Sequence, residues 1–230
     1  MKKPSSKDVE PLERRMISLS KQIEGIVDTD PIRRCLFATD GSIFQVTPRC
    51  IVQPKSRRDV EITVQFAREN GITIHPRGAG SGLCGAALGP GIVLDFTRFM
   101  NRLICVDVEK KEFTCEPGYR LGELEADLKG TNLFFPPDPS SGEYATFGGM
   151  FGTNASGAHS VKYGNVADYL IDAEMVLSDG SCIRLSDIAS PKTEALSAVF
   201  RQLADLYIQN KEKIETAYPE TRFNTAGYNL

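Results

Sequence analysis

The chain has 230 residues, 41% of them hydrophobic, which suffices to bury a core in one domain or two small lobes. A net charge of −3 leaves no electrostatic footprint for nucleic acid, no apolar run nears the roughly 18 residues of a membrane-spanning helix, and Met1-Lys2-Lys3-Pro4-Ser5-Ser6 opens onto charged residues rather than a signal segment, so a cytoplasmic chain is expected. Six cysteines at irregular spacings (35, 50, 84, 105, 115 and 182), with no Cys-x-x-Cys, read as reduced, mostly buried thiols, and two histidines without clustered ligands argue against a metal site.

In chain order, Leu12, Met16, Leu19, Ile23 and Ile26 recur at spacings of three and four, which predicts an amphipathic helix over residues 9–27. It belongs to a lead-in, residues 1–40, ahead of a domain expected over 41–230. Residues 35–44 dissolve into the polar turn Ala38-Thr39-Asp40-Gly41-Ser42. Cys50-Ile51-Val52-Gln53-Pro54 is a short strand. Ser56, with Asp59 three positions on, predicts a capping box for a helix that buries Val60, Val64 and Ala67 and ends at Asn70-Gly71. The strand Ile72-Thr73-Ile74 then completes a βαβ unit.

The next stretch is His75-Pro76-Arg77-Gly78-Ala79-Gly80-Ser81-Gly82-Leu83-Cys84-Gly85. Its glycines strip side chains from the loop, so backbone N–H groups can approach an anion closely, and Arg77 adds a positive charge beside them. That is chemistry for a diphosphate, although the loop alone is equally well read as a tight turn. Gly80-Ser81-Gly82-Leu83-Cys84-Gly85 fits the G-x-G-x-x-G fingerprint, but a dinucleotide fold of that type needs a helix opening at the loop. Gly89-Pro90-Gly91 breaks the chain first, and Ile92-Val93-Leu94-Asp95-Phe96 reads as another strand. No Gly-Lys-Ser/Thr follows, which excludes a Walker A loop.

Alternation resumes over residues 103–108 and 112–116, with Glu109-Lys110-Lys111 as the turn of a hairpin. After Pro117-Gly118, the residues Leu121, Leu124 and Leu128 mark a short helix before Gly130. Residues 134–160 are dense in Pro, Gly, Ser and Asn, too long for an idle connection, and read as a binding segment. Its short polar groups, with Ser81, are Thr153, Asn154 and Ser156, beside bare backbone donors. A second hairpin follows, with strands over residues 171–177 and 182–185 around Ser178-Asp179-Gly180.

These motifs together resemble the FAD-binding domain of the vanillyl-alcohol oxidase and p-cresol methylhydroxylase (PCMH) superfamily, in its D-lactate, D-2-hydroxyglutarate and glycolate dehydrogenase branch. The resemblance rests on Pro76-Arg77-Gly78-Ala79-Gly80-Ser81-Gly82, Ile92-Val93-Leu94-Asp95, Glu116-Pro117-Gly118 and Phe135-Pro136-Pro137-Asp138-Pro139. It continues through Gly148-Gly149-Met150-Phe151-Gly152-Thr153-Asn154-Ala155-Ser156-Gly157, Tyr163-Gly164 and Val176-Leu177-Ser178-Asp179-Gly180. It implies an α+β fold of two lobes with FAD between them: a small βαβ lobe over about residues 44–97 and a larger mixed or antiparallel lobe with helices over about 98–220.

By the same resemblance, Pro76, Arg77, Gly78, Ala79, Gly80, Ser81, Gly82 and Leu83 hold the diphosphate, and Pro117 and Gly118 lie near the adenosine end. Pro137, Asp138 and Ser141 border the flavin ring or its tail. Gly148, Gly149, Gly152, Thr153, Asn154, Ser156 and Gly157 run along the flavin, with Tyr163 and Gly164 following. Relatives that tether flavin use a His in the first loop or a Cys in the second cluster. Positions 78–82 hold no His and 134–157 no Cys, so non-covalent FAD is expected. His75 and His159 read as hydrogen-bonded structural residues, with roles near the diphosphate and the ring as the alternatives.

Residues 194–217 carry Leu196, Val199, Phe200, Leu203, Leu206, Tyr207 and Ile214 as a helical core face. In relatives a segment like Gly227-Tyr228-Asn229-Leu230 leads into a substrate-binding cap that supplies the catalytic base. The resemblance therefore implies a domain of a longer enzyme, or a subunit needing a partner. The whole enzyme would oxidise a small D-2-hydroxy acid to the 2-oxo acid by hydride transfer to flavin N5, with electrons leaving to a quinone, a flavoprotein or an iron–sulfur module. The alternatives are a non-catalytic FAD-holding subunit and a flavoenzyme like the enolpyruvyl-sugar-nucleotide reductases.

Overall fold

The computed structural model describes residues 12–189, 194–219 and 221. Helix α1 (Leu12–Ser20) buries Met16 and Leu19, then stops well short of residue 27. The chain turns instead into strand β1 (Ile26–Asp28), because the Asp59 carboxylate captures the N–H groups of Glu24 (3.0 Å) and Gly25 (2.9 Å) that a continuing helix would have used. Residues 9–11 of the expected helix lie outside the described residues. An unanticipated helix, α2 (Pro31–Leu36), starts where Asp30 accepts from the Ile32 and Arg33 N–H groups with Pro31 at the first helical position, a start signal that the sequence does contain.

Strand β2 (Cys50–Gln53) leads to α3 (Arg57–Glu69). The Ser56 hydroxyl accepts the Asp59 N–H at 3.3 Å, but Asp59 does not close the capping box. Its carboxylate accepts from Lys55 (2.8 Å), Glu24 and Gly25, because the β1 entrance competes for it. Gly71, at φ 61°, turns the chain out of the helix. Strand β3 runs over Ile74–Arg77 rather than 72–74, and it takes in Pro76 without loss because β3 is an edge strand. Strand β4 (Ile92–Asp95) follows residues 78–91, in which no helix forms.

The sheet order is β1-β2-β4-β3, with β2, β4 and β3 parallel and β1 antiparallel, so β4 inserts between the two strands of the βαβ unit. Every residue of β2 and β4 is buried, as expected of parallel strands covered on both faces. Leu19, Cys50, Val52, Phe66, Ile92 and Leu94 belong to one core.

A second core gathers Tyr119, Leu121, Leu124, Met150 and Val166 under the rings of Phe113, Phe135 and Phe147. Around it lie the hairpin β5 (Leu103–Asp107) and β6 (Glu112–Cys115), then α4 (Leu121–Asp127), α5 (Phe147–Gly152) and α6 (Ser160–Tyr163). The last hairpin pairs β7 (Glu174–Val176) with β8 (Cys182–Arg184). β7 is shorter than the expected strand because Asp172 bonds the Ala173 and Ser186 N–H groups, closing the hairpin's base, while Ile171 points to solvent.

Helix α7 spans Glu194–Ala217 as expected. Of its stripe, Leu203, Leu206 and Tyr207 are exposed and Phe200 and Ile214 are half-buried, while the side chains of Leu196 and Val199 lie outside the described residues. Among the described residues no helix is long and apolar enough to cross a membrane.

The thiols also depart from expectation. Cys50 is buried, whereas Cys35, Cys84 and Cys105 are exposed, because α2 buries none of its residues, Cys84 rides the glycine loop and Cys105 sits at a β-bulge on the outer hairpin. Burial pushes the Cys50 and Cys115 thiols up to about 12, which removes the reactive thiolate. With a chromogenic disulfide at pH 8, Cys35, Cys84 and Cys105 are expected to react first and Cys50 and Cys115 only on unfolding. Equal rates for all six would contradict this burial pattern.

Candidate functional site

The carboxyl ends of β3 and β4 place Arg77 opposite Asp95 in register, with Gln53 one residue beyond the Val52–Leu94 pair on the next strand. In α/β sheets, ligands sit beyond these strand ends. Asp95 is buried and saturated: it accepts from Gln53 Nε2 (2.7 Å), Thr97 N (2.9 Å) and Thr97 Oγ1 (2.6 Å), so it anchors the strand ends and is not a free base.

Arg77 is the opposite case. Its Nη2 donates to the Thr39 carbonyl at 2.9 Å and its guanidinium lies 5.2 Å from the Phe37 ring centroid, but Nη1 is buried with no partner. Burial pulls the guanidinium below its usual pKa, and the Asp40 and Asp95 carboxylates oppose that. A buried, charged donor without an acceptor is costly, and an anion is what would satisfy it. Beside it opens a cleft of about 390 Å³. Arg77, Gly78, Ala79, Asp95 and Thr97 line it from the sheet, Leu36 and Phe37 from the end of α2, and Arg120 and Tyr144 from the second core's side. Arg120 is held by Glu123 at 2.6 Å.

The glycine loop meets the later segment directly. Ser81 Oγ donates to Ser141 Oγ at 3.2 Å, and a side chain on Gly78 would overlap the Thr146 hydroxyl. Gly80, at φ 69°, turns its carbonyl to the Gly41 N–H at 2.8 Å. The space beside Gly82 is open, and Pro76, Ala79 and Leu83 are exposed.

The second cluster differs from a run of bare donors. Thr146 caps α5, a helix made despite three glycines, and the cluster's N–H groups are engaged within the fold: Gly148 with the Pro117 carbonyl (2.8 Å), Gly149 with Thr146 Oγ1, Thr153 with the Gly149 carbonyl, Gly157 with Ser160 Oγ (2.9 Å). Thr153 Oγ1 donates to the Gly149 carbonyl at 3.0 Å, and Asn154, at φ 45°, accepts the Ala167 N–H at 3.0 Å. Ser156 and Gly152 are exposed. Gly118 packs on the Phe96 and Met100 carbonyls, which seats the Pro117-Gly118 turn between the two cores.

Asp138 and Gly157 form a separate group. A side chain on Gly157 would overlap the Asp138 carbonyl, which accepts the Ala158 N–H at 3.0 Å; His159 Nε2 lies 3.8 Å from Asp138 Oδ2, and Pro137 is buried beneath. Tyr163 packs edge-on against Phe134 and His159 and accepts the Tyr169 hydroxyl, and Gly164, at φ 83°, ends α6. His75 bonds Thr73 Oγ1 at 3.0 Å with its ring against Gly89, outside the cleft; partial burial lowers its pKa.

Phe37, Thr97, Arg120 and Tyr144 were not legible as site residues, because each comes from a different element and none carries a local motif. Among the described residues no group of acidic, His and Cys side chains could hold a metal ion.

The family model described as "FAD binding domain" matches residues 48–186. The chain is 32% identical over 216 residues to the D-2-hydroxyglutarate dehydrogenase of Pseudomonas putida, a match covering 90% of this chain and 22% of that protein. It is 38% identical over 174 residues to the D-lactate dehydrogenase of Archaeoglobus fulgidus, covering 73% and 38%. The chain thus spans about a fifth to two fifths of these relatives. Substrate-bound p-cresol methylhydroxylase shares the fold at a TM-score of 0.65 and 17% identity, over 80% of this chain and 37% of that one. The family match over most of the sheet and both glycine clusters places the chain in the FAD-binding domain family, with FAD as its cofactor.

Proposed function

We propose that the cleft at the ends of β3 and β4 receives the FAD diphosphate, and the observation that carries this is the buried, unpartnered Nη1 of Arg77 beside the glycine loop. Arg77 and the loop residues 76–83 bind the phosphates. Pro117 and Gly118 shape the adenosine end. Pro137, Asp138, Ser141 and the segment from Gly148 through Gly157 to Tyr163 and Gly164 form the wall along the flavin. That wall acts by shape: Gly148, Gly149, Thr153 and Gly157 already give their N–H groups to the fold, so they hold a fixed surface rather than donate to a ligand.

Bound FAD supplies a hydride acceptor at flavin N5. The whole protein is, on this reading, a dehydrogenase of a small D-2-hydroxy acid, as the names of the relatives suggest. Substrate, proton-accepting base and electron acceptor contact parts of the protein beyond this domain. Attachment is non-covalent, because residues 78–82 contain no His and 134–157 no Cys.

The test is the visible spectrum of the purified chain with and without added FAD, followed by acid precipitation. A yellow chain that releases FAD into the supernatant is expected. A yellow pellet refutes non-covalent attachment, and a colourless chain indifferent to FAD refutes the cleft assignment. Reduction of a dye by the whole protein with D-2-hydroxyglutarate or D-lactate, but not with NADPH, tests the substrate class.

A further inference from the structure

We infer that Phe37 and the turn after it are positioning elements for Arg77, a strap that fixes its guanidinium in the cleft; the inference rests on the diphosphate reading above. The strap precedes residues 48–186, so it lies outside the segment that defines the family.

An arginine loses rotamer freedom when fixed, so a phosphate-binding arginine gains affinity if the fold fixes it beforehand. Here two contacts do so. The guanidinium lies over the Phe37 ring at 5.2 Å, and Nη2 donates to the Thr39 carbonyl at 2.9 Å. Together they occupy one face and one nitrogen and leave Nη1 unpaired.

The strap is itself rigid. Arg33 Nε meets Asp28 Oδ2 at 3.1 Å, Arg34 Nε donates to the Pro48 carbonyl at 2.7 Å, and Ala38 is fully buried with its carbonyl accepting the Val46 N–H at 2.8 Å. Its tip sits on the glycine loop: the Gly41 N–H donates to the Gly80 carbonyl at 2.8 Å, and a side chain at Gly41 would come within 2.7 Å of the Ser81 carbonyl oxygen. Phe37 lines the cleft, and its part in binding is exerted through Arg77.

FAD titration of the 230-residue chain, followed by flavin fluorescence, tests this with Phe37→Leu and Phe37→Tyr, each made with Arg77 intact and with Arg77→Gln. Phe37→Leu is expected to weaken FAD about tenfold when Arg77 is present and less than twofold beside Arg77→Gln, while Phe37→Tyr, which keeps the ring face, stays within twofold of the parent. Equal losses in both backgrounds would make Phe37 a general structural residue and overturn the inference. So would an unchanged affinity in Phe37→Leu. If the parent chain binds no FAD, the diphosphate reading falls and takes the inference with it; if the parent binds FAD and only the coupling is absent, the inference alone falls.

Discussion

Gly157→Ala is expected to destabilise the chain by about 3 kcal/mol and to abolish measurable FAD binding, since overpacking against fixed backbone sits at the upper end of what such substitutions cost. The added methyl would overlap the Asp138 carbonyl and lie 2.5 Å from Pro139 N. Relief by movement is blocked on both sides. Pro137 and Pro139 are buried and conformationally stiff, and Gly157 is tied through its N–H to Ser160 Oγ at 2.9 Å. The next residue, Ala158, would lose its bond to the Asp138 carbonyl, and His159 would leave Asp138. Urea unfolding gives the measurement: a lower midpoint at unchanged slope. Gly152→Ala is the internal contrast from the same cluster. Nothing lies near its added methyl and its residue ends a helix, so it is expected to be neutral or stabilising by about 0.5 kcal/mol. Equal behaviour of the two variants would mean that the cluster's glycines serve composition and not close approach.

The parts of the fold that were legible in the sequence are those set by local chemistry. Ser56, the Val60–Ala67 spacing and Gly71 delimit α3 to within a residue, and the interruption at Gly89-Pro90-Gly91 predicts a loop where a nucleotide-binding helix would otherwise open. The α7 periodicity gives its bounds, but periodicity cannot say which part of the stripe is covered, and Leu203 and Leu206 are exposed where Phe200 and Ile214 are half-buried. The insertion of β4 between β2 and β3 was invisible for the same reason: strand order is decided by contacts far apart in sequence.

Helix α5 shows tertiary packing overriding propensity. Phe147-Gly148-Gly149-Met150-Phe151-Gly152 opposes a helix by composition. It forms because Thr146 caps it, Met150 is buried, and the Phe147 ring packs against Phe113 at 4.9 Å, Phe135 at 5.2 Å and Tyr119 at 6.0 Å. In the site, the glycine loop and Arg77 could be read directly, whereas Arg120 and Tyr144 reach the cleft only through the docking of the second core on the first.

Asp59→Ala is the second large effect, expected to destabilise by about 3 kcal/mol, because unmet backbone donors cost about 1 kcal/mol or more each. The Asp59 carboxylate is almost wholly buried and accepts from three N–H groups: Glu24 at 3.0 Å, Gly25 at 2.9 Å and Lys55 at 2.8 Å. One carboxylate thus ends α1, starts β1 and fixes the approach to α3. Gly25 cannot shift to compensate, since it lies against the Gln53 carbonyl. Asp59→Asn keeps one accepting oxygen and should lose roughly half as much. Ser56→Ala removes only the cap at the start of α3 and should cost about 1 kcal/mol. If Asp59→Ala lost no more than Ser56→Ala, its part would be confined to the helix terminus. The larger loss expected places Asp59 instead as the joint through which β1 is held to β2, and Gln53 with it. Gln53 orients Asp95, the register partner of Arg77, and Asp59 meets Gly25 and Lys55 beside Gln53 at the carboxyl end of β2, so weaker FAD binding should accompany the lost stability.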